Sequence, residues 1–141
     1  MTQAMCTSFK KELFTAAHNF AASGGHTFKI ALYTAAATLD ATTTVYSTTN
    51  ESVGTNYVAG GFTLVNVDPS VSGTTAMCSF STNPTWTSGT FNTSQALIYN
   101  TSSGNKAVAV LDFGGTQSVV AGDFVISWPA VTATTALLRL T

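Results

Sequence analysis

The spacing of apolar residues changes period once along the chain, and that change restricts the fold more than any other feature. Between Thr7 and Phe20, the residues Phe9, Leu13, Ala16, Ala17 and Phe20 recur at helical spacing, while Lys10, Lys11 and Glu12 share another arc. Thr7 or Ser8 can cap the start and Gly24-Gly25 lies past the end, so a helix is expected over about residues 7–22. From Thr27 onward the helical period does not return. Phe28, Ile30 and Leu32 alternate with their neighbours, as one face of a strand requires.

Further strands are expected at Phe62 to Val67, Thr75 to Phe80, Gln95 to Tyr99, Ala107 to Phe113, Asp123 to Trp128 and Ala136 to Leu140, with a short one at Thr44 to Tyr46. Ala35 to Thr49 otherwise reads as a long loop, and Asn50 to Tyr57 as turn-rich. Asp68-Pro69-Ser70 and Ser72-Gly73-Thr74 are turn signals, and Asn100 to Asn105 is a hairpin loop. Short strands separated by turns, with no helix between them, point to a mostly β fold. The expected architecture is an antiparallel β-sandwich (jelly-roll or Ig-like) with one N-terminal α-helix, and a closed barrel is the alternative. Neither repeat nor linker divides residues 1–141, so one domain is expected, with the sandwich starting near residue 26.

The surface of such a fold must be polar, yet only 8% of residues are charged, against about 25% in an ordinary domain. The 26 Thr and 14 Ser take that place. Threonine suits an exposed pleated sheet because its branched Cβ packs along it. A surface poor in ions also loses little solvation when a partner covers it, which favours assembly. The formal net charge of -1 gives no electrostatic ground for nucleic acid or an anionic membrane as partner. No stretch approaches the roughly 20 apolar residues of a membrane helix. Met1 to Cys6 lacks the basic and apolar regions of a secretory signal. Without one, Cys6 (in the helix) and Cys78 (in a strand) are expected as buried free thiols, and the sequons at Asn50, Asn92 and Asn100 carry no prediction.

No catalytic set stands out. His18 and His26 lie across a helix end and a Gly-Gly turn, neither beside a carboxylate in sequence, and too few ligands accompany them for zinc. His18 is therefore read as an ordinary helix-face residue. The six acidic residues are scattered. Asp112 and Asp123 could meet across adjacent strands as a glycosidase pair, but their neighbouring glycines favour roles in turns. No calcium loop or nucleotide-binding glycine motif is present, so neither metal nor cofactor is expected. Tyr33, Tyr57, Trp86, Tyr99 and Trp128 either fill the core or form a sugar-stacking platform. Trp86, between Pro84 and Gly89, is the best candidate for a glycan contact, and core filling is the favoured role for the set.

Several segments resemble, in order, a family of small tailed-bacteriophage virion proteins described as structural or head-decoration proteins. They are Ser8 to Leu13, Phe28 to Tyr33, Asn50 to Gly61, Thr85-Trp86-Thr87, Ala96 to Asn100, Leu111-Asp112-Phe113-Gly114 and Gly122 to Trp128. The resemblance covers nearly the whole chain. Its most specific parts are the Asn-Glu to Gly-Gly segment and the Asp-Phe-Gly strand end. The chain departs from the family at Ser52-Val53 and Asn56, where members tend to read Val-Ser and Gly, so that turn is expected to differ in shape.

The resemblance implies a non-enzymatic virion component, and no active-site residue comes with it. The expected function is capsid decoration, or cement, in a particle assembled in the host cytoplasm. The alternative is a receptor- or glycan-binding module of a fibre, tail or neck. The expected partners are the chain itself, as a homo-oligomer with a trimer favoured, and other virion proteins such as the major capsid protein. Phe9, Leu13 and Phe20, too large to leave in water, are the expected assembly contacts.

Overall fold

The computed structural model describes residues 2–141. The fold is mostly β, with antiparallel sheets and one N-terminal helix in a β-sandwich-like arrangement. Strand β1 (Thr2–Met5) leads directly into α1 (Thr7–Leu13). The strands β2 (Phe28–Tyr33), β3 (Phe62–Thr63), β4 (Ser70–Ser72), β5 (Thr75–Cys78), β6 (Thr85–Asn100), β7 (Lys106–Val125) and β8 (Leu138–Leu140) follow. One sheet has the order β1-β7-β6-β2-β3 and the other β4-β5-β8.

The β6–β7 hairpin is the backbone of the molecule. It turns through a 3-10 segment at Thr101–Ser103, with Asn100 accepting from the Ser102 N–H and Gly104 left-handed. Asp123 to Trp128 was expected as a strand separate from Ala107 to Phe113. Instead β7 runs through Gly114-Gly115 as a bulge: Thr93 pairs with Gln117 but Gln95 with Asp112, so Phe113 to Thr116 loop outward. The Asp112 carboxylate ties this excursion by accepting the Gly114 N–H at 2.8 Å. Asp123 likewise accepts the Ser88 N–H at 2.9 Å. Both acids fasten backbone and lie far apart along one strand, so they do not form a facing pair.

Strand β2 is buried on both faces. Phe28, Ile30 and Leu32 share one buried face, on which Phe28 stacks on Phe20 at 4.3 Å and meets Phe80 at 5.9 Å. The opposite face is covered by the loop of residues 34–61, with Tyr46 stacked on Tyr99 at 4.5 Å. Gly61 makes this cover possible. It has φ +81°, and a Cβ there would lie 1.8 Å from the Ile30 carbonyl oxygen.

Five local expectations are corrected. The helix stops at Leu13 rather than near residue 22, because Ala16 turns left-handed at φ 55°. The N–H groups of Ala16 and Ala17 then bond the Leu13 and Glu12 carbonyls at 3.3 and 3.1 Å, a Schellman closure formed without glycine. Cys6 caps the helix start in place of Thr7 or Ser8, and makes no side-chain bond there. Ser70–Ser72 is a strand paired with β5, while Phe62 to Val67 pairs regularly only over its first two residues. The Thr44 to Tyr46 segment makes a single bridge, Val45 to Lys106.

Candidate assembly surface

Phe9 and Phe20, two of the expected contacts, are core residues at 2% and 8% exposure. Their rings meet edge to face at 5.9 Å. The expectation that they face a partner gives way, because the short helix folds back on the sandwich and covers its own apolar face. Leu13 is half-buried and borders an open apolar groove of about 160 Å³. Met5, Phe9, Met77 and Leu140 line the groove with it.

The side chain most in need of cover is one that the helical pattern does not single out. Phe14 is 94% exposed, immediately after the last helical residue. It lies off the apolar arc, and the early end of the helix leaves nothing beyond to pack on it. Val53, Val58, Val71 and Val120 are also largely exposed. The described residues include no Lys or Arg ion pair with a carboxylate.

The most elaborate polar site lies in the segment most specific to the family resemblance. Glu51 is buried, and its carboxylate accepts from the Tyr57 and Tyr46 hydroxyls and the Gly60 N–H, each at 2.7 Å. The Tyr57 oxygen in turn accepts the Leu32 N–H at 2.9 Å. Three donors replace water around the buried charge and bind the covering loop to β2. Asn50, at φ 61°, sets up the turn that delivers it. Burial pushes the Tyr99 hydroxyl up to about 12, and burial beside Glu51 holds Tyr46 and Tyr57 still higher. These hydroxyls are fixed donors and not acids at physiological pH. With these three donors on its oxygens, the carboxylate acts as a clamp.

A second network joins the residues read as isolated. His18 is buried, outside the helix, and its Nε2 lies 2.7 Å from Glu12 Oε2. Its Nδ1 lies 3.0 Å from Asn100 Nδ2, which also lies 2.9 Å from His26 Nδ1. The reading of His18 as an ordinary helix-face residue without a carboxylate is thus corrected. Glu12 precedes His18 by only one to two helical turns in sequence, but the turn after Leu13 that brings them together is unmarked, and the Asn100 partner is 82 positions away.

Trp86, the candidate glycan contact, is 6% exposed and packs among Tyr57, Phe62 and Phe124. It offers no ring face to a sugar. Tyr33, Tyr57 and Tyr99 are buried too, and Trp128 is partly buried with its Nε1–H donated to the Thr82 carbonyl. Both cysteines are free. Burial, with the charges of Asp40 and Glu12, pushes the Cys6 thiol up to about 11, and burial pushes Cys78 up to about 12. Neither is a ready nucleophile.

Among the described residues no group of three His, Cys, Asp or Glu is placed to hold a metal ion, and no helix is long and apolar enough to cross a membrane. No family model, curated protein or solved structure matches the chain.

Proposed function

We propose that the chain is a non-enzymatic structural component of a tailed-phage particle, a capsid decoration protein that acts by assembling with copies of itself and with the shell. The observation that carries this reading is Phe14, 94% exposed and one residue past Leu13, which borders an unfilled apolar groove, in a chain with only 8% charged residues. Burying one such ring is worth roughly 1.5–3 kcal/mol, which is weak alone and sufficient when a symmetric lattice repeats it. The family resemblance points the same way. The buried polar groups, Glu51, His18 and Asn100, fasten loops to the sandwich and leave no reactive group free. The glycan-binding alternative loses its proposed platform with the burial of Trp86.

The test is Phe14→Asp, which changes an exposed residue and leaves the core intact. The variant is expected to fold as the wild type does but to lose mass in light scattering and fail to join particles. Unchanged mass and unchanged joining would remove this face from the proposal. Phe9→Asp does not serve, because it would place a charge in the core.

A further inference from the structure

We infer that Glu12, His18, Asn100 and His26 form an acid-released latch between the tip of the β6–β7 hairpin and the segment of residues 18–26. The inference rests on donors and acceptors. Asn100 is fully buried, and its Oδ1 accepts the Ser102 backbone N–H at 3.0 Å. That N–H can only donate, so the amide cannot be reversed. Its Nδ2 therefore points at His18 Nδ1 and His26 Nδ1, with one hydrogen for each. The Asn19 N–H, 3.3 Å from His26 Nδ1, independently requires that nitrogen to accept. Both rings are thus held neutral at Nδ1, and His18 gives its Nε2 proton to Glu12.

A proton added at either Nδ1 turns an acceptor into a donor that faces donors. His26 then loses both the Asn19 and Asn100 bonds. His18 keeps Glu12, now as an ion pair, but loses Asn100. Either event frees the Asn100 amide. The groups around the two rings are few. Glu12 comes from α1, the histidines face each other through neutral Asn100, and the remaining neighbours of His18 are the rings of Phe9, Phe20 and Phe28. The same segment has two further ties: the Asp68 carboxylate accepts the Ala22 N–H, and the Asn66 amide donates to the Ala21 and His26 carbonyls. The hairpin tip stays bound to Thr27 by bonds without a titrating group. Release is therefore local to residues 18–26. It loosens Phe20, which borders the apolar groove, so acid changes the assembly face without unfolding the sandwich.

The effect on assembly rests on the function proposed above, whereas the latch can be read on the isolated protein. Imidazole nitrogen NMR near pH 7.5 should show both rings protonated at Nε2 and bare at Nδ1. Between about pH 7.5 and pH 5, amide exchange at Asn19 to His26, corrected for its intrinsic pH dependence, should rise about tenfold for each hydrogen bond lost. Protection in β2 and β6 should hold. Asn100→Asp replaces the donor with an acceptor, so its protection should rise on acidification instead. An Nδ1-protonated ring at neutral pH, or corrected exchange that does not change with pH in the wild type, overturns the latch whether or not the variant folds. A working latch with particle joining that ignores pH would leave the latch standing and sever it from assembly.

Discussion

At Ala16 the backbone adopts a conformation that its side chain disfavours. Its left-handed φ of 55° costs an L-residue roughly 1–2 kcal/mol, partly offset by a less flexible unfolded chain. Ala16→Gly at this exposed position should therefore raise stability by about 0.5–1 kcal/mol, seen as a higher urea midpoint at unchanged slope. A lower midpoint would show that the Schellman closure does not end the helix. This is also why the helix end was not legible in the sequence. Gly24-Gly25 carries the usual stop signal, but the chain stops at an alanine that continues the apolar spacing. The thiols give a second prediction at this scale. The folded state holds Cys6 and Cys78 protonated up to about pH 11 and 12, against 9.0 for the ordinary thiol. Their contribution to stability is complete below pH 9 and is lost as pH rises through the folded values, because the unfolded thiols ionise first. Stability should decline above about pH 9, and replacing both residues with Ala should flatten that decline in alkaline urea titrations. An equally steep decline in the double variant would assign it to the tyrosines.

The elements were legible where a face repeats and obscure where a strand is short or continuous through glycine. Phe28 to Tyr33 and the hairpin loop at Asn100 to Asn105 emerged from alternation and turn chemistry alone. Strand β1 has too few residues to show a period, and it forms by pairing with Ala109 to Asp112 along the edge of β7 that β6 leaves free. Gly114-Gly115 looks like a turn by composition, yet β7 bulges there and resumes its pairing with β6 at Gln117. Space separates these glycines from Gly61. A Cβ at Gly114 meets nothing within 4 Å, whereas at Gly61 it would strike the Ile30 carbonyl. Gly114→Ala should cost about 1–2 kcal/mol, the left-handed penalty alone. Gly61→Ala should cost at least about 3 kcal/mol, since the loop that carries Glu51 must lift from β2. Equal costs in urea unfolding would mean that the close approach at Gly61 relaxes freely.

At the scale of the molecule, the mostly β fold with one helix follows from the change of period at Thr27, but the surface does not. Whether the helix served the chain's own core or a partner depended on where it ended, and its end at Leu13 rather than near residue 22 leaves Phe14 as the exposed side chain. The polar networks were equally hidden: Glu51 draws its donors from Tyr46, Tyr57 and Gly60 of its own loop, where no spacing pattern marks them, and His18 reaches Asn100 at the far end of a strand. What remains is a sandwich with an ion-poor surface, one bare phenylalanine and an apolar groove bordered by the preceding Leu13. The reading of these features as parts of a shell-binding surface is tested most directly by counting copies of the protein in purified particles of the phage that carries it, by quantitative mass spectrometry against the major capsid protein. The account predicts a fixed ratio to the capsid protein, set by the lattice sites it covers, and loss of the protein from particles made with Phe14→Asp. Absence from the particle, or a few copies confined to the tail, would contradict it.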